Sequence, residues 1–120
     1  MFINCSNHSA EYWGEKQKQA AGRWGEIIDY PFPVVEPGIS EEEIEKIADH
    51  VVRDIVGKQP DIVLCQGEFT LTYAIVSRLK KLGIKVVAAC SERKTQEQVM
   101  QNGVTKKESY FEFIRFREYI

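Results

Sequence analysis

The stretch "DIVLCQGEFTLTYAIVSRLKKLGIKVVAAC", residues 61–90, decides how the rest of the chain is read. Asp61 to Cys65 opens it as a continuous apolar run, the pattern of a strand covered on both faces. Phe69, Thr72, Tyr73, Val76, Leu79 and Leu82 then recur at helical period up to Gly83, where a left-handed cap would fit. Ile84 to Cys90 resumes as a second apolar strand. A buried strand, a helix of about four turns and another buried strand make one parallel crossover unit.

The same alternation continues towards the N-terminus. Ser40-Glu41-Glu42-Glu43 has capping-box spacing ahead of Ile44, Ile47, Ala48, Val51, Val52 and Ile55, which predicts a strongly amphipathic helix. Glu26 to Phe32 reads as a strand stopped by Pro31-Phe32-Pro33, Phe2 to Cys5 as a first strand, and Trp13 to Trp24 as a modest helix between them. Beyond Arg93 the period changes. Asn102-Gly103 lies between Thr95 to Gln101 and Val104 to Arg117, the latter dense in strand formers, which predicts an antiparallel hairpin at the sheet edge. A short helix over Gln96 to Gln101 competes with that reading. The expected fold is a single three-layer α/β domain over residues 1–120, Rossmann-like, with a mostly parallel sheet and a C-terminal antiparallel hairpin.

The 120 residues are 43% hydrophobic, which suits one domain with a real core. A net charge of −2 argues against a protein that coats long nucleic acid. Met1-Phe2-Ile3-Asn4-Cys5 shows no basic leader, and no apolar run reaches the roughly eighteen residues of a membrane span, so a cytoplasmic protein with no membrane association is expected. Cys5, Cys65 and Cys90 sit in or just after apolar runs without a Cys-x-x-Cys pair. They read as small buried hydrophobes, and no metal or other cofactor is expected.

Two strand ends carry the polar chemistry. "INCSNHS", residues 3–9, and "VLCQGEFT", residues 63–70, each leave a buried strand through small polar residues. If the first strand lies between the second and third, these tips flank the topological switch point, where open α/β sheets bind ligands. Ser6, Asn7 and His8 would then face Gln66, Gly67, Glu68 and Thr70, with Ser91, Glu92 and Arg93 arriving from the next strand. His8 is the candidate acid or base and Arg93 the candidate cation. Gly67 permits close backbone approach, and the N-H groups of the helix behind it suit a phosphate unless Glu68 stands in the way. Each has a plainer reading: Ser6 and Asn7 as loop supports, Glu68 as a first-turn acid, Arg93 as half of a salt bridge. Neither GxGxxG nor GxxxxGK[ST] occurs. Arg115 and Arg117 are read on one strand face with Phe111 and Phe113, able to stack on bases or simply to guard an edge strand.

"INCSNHS", "GEIIDYPFP" (25–33), "CQGEFTLTYAIVSRLKKLGIKVVAACSER" (65–93) and "FEFIRFREY" (111–119) together resemble a family of small CRISPR-associated accessory proteins of type III systems. Several proteins of that kind have Rossmann-like, CARF-like folds and act as ring nucleases on cyclic oligoadenylate. The resemblance implies a homodimer that binds cyclic oligoadenylate, most naturally cyclic tetra-adenylate, across its two-fold axis. Ser6, Asn7, His8, Gln66 to Thr70 and Ser91 to Arg93 would form the floor. Cleavage of such a ring to 2′,3′-cyclic phosphate ends needs no metal; His8 is then the candidate general acid or base, and Arg93, with the Ser6 and Thr70 hydroxyls and the N-H groups after Gly67, the candidate partner of the developing charge. Two rival readings stay open: a sensor or sponge that binds the ring uncut, and a small-nucleotide enzyme of flavodoxin-like type with Glu68 as nucleophile.

Overall fold

The computed structural model describes residues 1–120. Its elements are β1 (Phe2–Cys5), a 3-10 turn (Ala10–Tyr12), α1 (Glu15–Gly22), β2 (Ile27–Asp29), α2 (Glu41–Gly57), β3 (Ile62–Cys65), α3 (Phe69–Lys81), β4 (Lys85–Val99) and β5 (Thr105–Glu118). They build one five-stranded sheet in the order β2-β1-β3-β4-β5. The first four strands are parallel and β5 is antiparallel to β4. The expected α/β class, with its C-terminal hairpin, is what the chain adopts.

All four residues of β1 and all four of β3 are buried, β3 as its unbroken apolar run requires and β1 with the polar Asn4 among them. The two layers over the sheet are unequal. On one face α2 and α3 pack against each other and against the strands, around a core that includes Ile3, Val51, Ile55, Val63, Leu71, Ile75 and Leu79. On the other face the eight-residue α1 covers a smaller cluster of Phe2, Trp13, Ala21, Ile62, Leu64 and Val87. No second helix follows it there, so the β4 and β5 side of that face is only partly roofed.

Helix α2 follows its sequence signals: the Ser40 side chain accepts the Glu43 N-H at 3.2 Å, and Ile44, Ala48, Val51, Val52 and Ile55 are buried. Helix α3 has the expected span but a different phase. Of the residues expected inward, Thr72, Val76 and Leu79 are buried, but Phe69, Tyr73 and Leu82 are 89%, 77% and 59% exposed, and Leu71, Ala74 and Ile75 take their place in the core. The helix buries a face rotated from the expected one and overlapping it. Its C-terminus carries the expected glycine cap: Gly83 takes φ +78°, and Gly83 and Ile84 N-H groups bond the carbonyls of Lys80 and Leu79.

The hairpin departs most from expectation. Strand β4 does not stop at Cys90 but runs to Val99, and no helix forms over 96–101. The turn has the Met100 N-H bonded to the Val104 carbonyl and Gly103 at φ +81°, while Asn102 keeps a negative φ. This is a three-residue loop with a left-handed glycine, not the two-residue Asn-Gly turn, because Asn102 uses its side chain to accept the Val104 N-H at 3.0 Å. Beyond Ser91 the hairpin leaves the sheet as an arm about 30 Å long, nine residues at roughly 3.3 Å each. The radius of gyration is accordingly 17.3 Å, against about 14 Å for a compact chain of this length.

A bulge marks the arm's root. Cys90 pairs with Arg115 and Ser91 with Phe113, which leaves Ile114 without a partner. The extra residue reverses the alternation, so Phe113 lies beside Phe116 with ring centroids 4.8 Å apart. The bulge takes Arg115 and Arg117 out of the alternation that Phe111 and Phe113 begin, although Arg115 still lines one groove with Phe113.

Gly67, at the β3 tip, has a steric cause. A Cβ there would lie 2.5 Å from the ring of Phe32, which is buried in the large core. By contrast, a Cβ at Gly57, the last residue of α2, would meet nothing. Gly67→Ala should therefore cost about 1–3 kcal/mol through overpacking, while Gly57→Ala should gain about 0.5–1 kcal/mol of helix propensity. Urea unfolding of the two variants beside the parent checks both signs.

Candidate functional site

The β1 tip is organised by a buried amide. Asn4 is 1% exposed, on a strand with neighbours on both sides. Its Nδ2 donates to the Asp29 carboxylate at 2.8 Å and to the His8 carbonyl at 2.8 Å, and its Oδ1 accepts from the Ser6 hydroxyl at 2.7 Å. Asp29, at the end of β2, also accepts from the Ser9 hydroxyl at 2.8 Å and the Ala10 N-H at 3.1 Å. The loop from Ser6 to Ala10 is thus folded back over β1 and β2. Ser6, also bonded to the His8 N-H at 3.3 Å, is committed to this network. His8 contributes only its backbone, so its imidazole is exposed with no protein partner.

From β3, Gln66 bridges strands. Its N-H bonds the Cys5 carbonyl at 3.2 Å and its Oε1 accepts the Ala89 N-H at 2.7 Å. That leaves the Nε2 donors of Gln66 for a ligand. Ser6, His8, Gln66 and Ser91 line one crevice of about 820 Å³, together with Tyr12, Trp13, Lys16, Tyr110, Phe111 and Phe113. The volume falls in the range of small-molecule sites. One wall is polar strand tip; the other is the aromatic root of the arm.

Other expected members lie elsewhere. Glu68 caps α3: its carboxylate accepts the Thr70 and Leu71 N-H groups at 2.9 Å each and the Thr70 hydroxyl at 2.7 Å. Those bonds, the Thr70 N-H foremost, hold Glu68 below the usual carboxylate range. The helix N-terminus expected to receive a phosphate therefore already holds an anion, and Glu68 and Thr70 open onto a separate acidic groove with Glu36, Glu41 and Glu45. Gly67 is used by Phe32, as above. Asn7 lies in a small polar hollow with Asn4, Ser9 and Asp29. Arg93 is out on the arm, donating to the Ser109 hydroxyl at 3.2 Å. Its neighbour Glu92 is exposed opposite Glu112.

The structure adds residues that the strand-tip reading omitted. Lys16 is the cation of the crevice, and Tyr12, Tyr110, Phe111 and Phe113 are its aromatics. Lys16 gave no signal because it sits in an ordinary charged helix. The aromatics stood out only as strand formers, and it is the arm that carries them over the tips.

Cys5 and Cys65 pair across β1 and β3 and are buried; Cys90 is half-buried, and all three are free. A hydrogen bond with Cys5, together with burial, pushes the Cys65 thiol far above its usual value. It therefore behaves as a small hydrophobe rather than a nucleophile.

Asp29 controls the loop that carries His8. Burial works against its charge, but the bonds from Asn4, Ala10 and Ser9 outweigh it and hold the carboxyl below its usual 3.8. A depressed carboxyl contributes stability that is complete above the unfolded value and is lost as pH falls through the folded one. Below about pH 3.8 the Ala10 amide should accordingly lose exchange protection, and Asp29→Asn should remove that acid dependence. Amide NMR along an acid titration reads both.

No curated protein matches the chain. Residues 1–117 match the family described as Uncharacterized protein MJ1673 family, nearly the whole length from β1 to the end of β5. The chain therefore belongs to the Uncharacterized protein MJ1673 family.

Proposed function

We propose that the protein binds cyclic oligoadenylate, with cyclic tetra-adenylate as the best fit, and cleaves it without a metal, as a ring nuclease that ends type III CRISPR signalling in the cytoplasm. One observation supports this most: an unengaged imidazole, the free donors of Gln66 and a lysine share one crevice with three exposed aromatic rings. Aromatic faces suit adenines, and the polar floor suits the phosphodiester between them. The resemblance of the strand tips to CRISPR accessory proteins supplies the ring.

The chemistry asked of these residues is small. The ribose 2′-oxygen attacks the adjacent phosphorus, the bond to the 5′-oxygen breaks, and a 2′,3′-cyclic phosphate and a 5′-hydroxyl result. Most of the acceleration can come from holding the 2′-oxygen in line. His8 moves one proton, off the 2′-hydroxyl or onto the 5′-oxygen, and solvent moves the other. Lys16 takes the phosphate-holding role first read for Arg93. A non-catalytic sensor is favoured by a different observation: Ser6 is tied into the Asn4 network, so its hydroxyl is not available to the reaction.

Incubation with cyclic tetra-adenylate and chromatography of the products separates the readings. Linear products ending in 2′,3′-cyclic phosphate support cleavage, a retained intact ring supports the sensor, and no binding overturns both. His8→Ala should lower single-turnover cleavage by about 10²-fold or more with little change in affinity. Lys16→Ala should weaken binding and catalysis together, and its effect should fade as salt rises. Arg93→Ala should change neither by more than about twofold, since it acts outside the crevice.

The ring's symmetry and the arm both support a homodimer. An isolated two-stranded ribbon is marginal in water, and this one exposes Val99, Met100 and Val104 at 79%, 45% and 57% near its tip. A dimer mass by light scattering at micromolar concentration is expected, and a clean monomer would remove the symmetric arrangement.

A further inference from the structure

The unequal roofing of the sheet leaves a second groove beside the crevice, on the α1 face. Its volume is about 470 Å³. Ile62, Val87 and Phe116 form its floor. Helix α1 and the residues after it supply Lys16, Arg23 and Trp24 on one side; Lys85 and Arg115 close the other. All four cations are exposed, and none makes an ion pair within 4.0 Å, whereas Lys94, Lys106 and Lys107 on the arm are each paired with a glutamate. Glu118 is the one acid in the lining. Four unpaired cations against one acid is a local reversal of the chain's net −2 charge.

The groove is also aromatic. The Lys85 ammonium lies 5.3 Å from the centre of the Trp24 ring, and Phe113 and Phe116 stand side by side. Lys16 and Phe113 line both this groove and the crevice, so the two are continuous; the crevice adds Glu15 and Glu112, the latter already paired with Lys94. Along β4, from Lys85 to Ser91, the combined track is about 20 Å long at roughly 3.3 Å per residue. We infer that this track binds a short single-stranded oligonucleotide, its phosphates on Lys16, Arg23, Lys85 and Arg115 and its bases against the Trp24 and Phe113 rings. A backbone-following row of cations with interleaved aromatics is how single strands are held without sequence preference. An acidic peptide would satisfy the cations but leave the rings unused, and a duplex hides its base faces.

This inference stands apart from the ring-binding reading and is tested apart from it. The probe is a fluorescein-labelled hexa-adenylate RNA, titrated with the full chain and followed by anisotropy. Single-strand affinity falls with salt at a slope of about −0.7 per phosphate contact, so four contacts give about −2.8 and roughly a 50-fold loss between about 50 and about 200 mM salt. The double variant Lys85→Gln with Arg115→Gln should reduce that slope by about 1.4 at an unchanged melting temperature. Lys16→Gln with Arg23→Gln should do the same and serves if the first pair folds poorly. The inference is overturned by absence of saturable binding at low salt, by an unchanged slope in both double variants, or by hexaglutamate or a duplex competing as well as unlabelled hexa-adenylate. Binding of the linear probe without binding of cyclic tetra-adenylate would sink the proposed function and keep the groove. The reverse result would sink the groove alone.

Discussion

A fully buried carboxamide in the middle of the sheet sets the geometry of the strand-tip loop. Strand β1 has parallel neighbours on both sides and no exposed residue, yet its third position is Asn4. A buried amide without partners would cost several kcal/mol. Here every polar atom of it is used, on Asp29, Ser6 and the His8 carbonyl. The loop after β1 therefore has little freedom: it must bring a carbonyl back over Asn4, and in doing so it turns the His8 side chain outward. The position of the one free imidazole at the switch point follows from satisfying a polar group in the core.

The second constraint is the asymmetry of the layers. Both β2 to β3 and β3 to β4 cross in the same direction along the sheet, so right-handed crossovers put α2 and α3 on one face. Only α1 is left for the other, and its eight residues pack towards β5, beside a cluster that reaches Val87 of β4, and cover that face only in part. What would be core in a deeper domain is here a pair of connected grooves. Their aromatic walls depend on the bulge at Ile114, which places Phe113 and Phe116 together, and on the arm, which carries Tyr110 and Phe111 past the strand tips.

The arm itself rests on local pairing. Lys94 and Glu112 lie 2.6 Å apart, and Lys107 and Glu97 3.4 Å apart, along a ladder that continues to Val99 and Thr105. Such exposed pairs contribute little singly. They do balance the charges along the arm, whereas the groove at its root presents unpaired cations.

The sequence by itself determined the parallel core, because continuous apolar runs such as Ile62 to Cys65 can be buried on both faces only between layers of helix. It also determined the Gly83 cap and the amphipathic α2, where local backbone chemistry and helical period point the same way. With β1 taken between β2 and β3 it made Ser6, His8, Gln66 and Ser91 neighbours, and they do line one crevice; the order itself is a tertiary matter, because handedness sets the face on which a helix packs and not the sequence of strands. Tertiary structure alone decided the rest. Helix α3 buries Leu71, Ala74 and Ile75 beside the expected Thr72, Val76 and Leu79, a rotation that its packing on the sheet and on α2 decides. Glu68 and Thr70 were drawn into a cap because unpaired N-H groups at a helix start take the nearest carboxylate. Gly67 answers to Phe32, thirty-five positions away in the chain. Lys16 and the aromatics of the arm joined the site only through long-range packing, which no local pattern encodes.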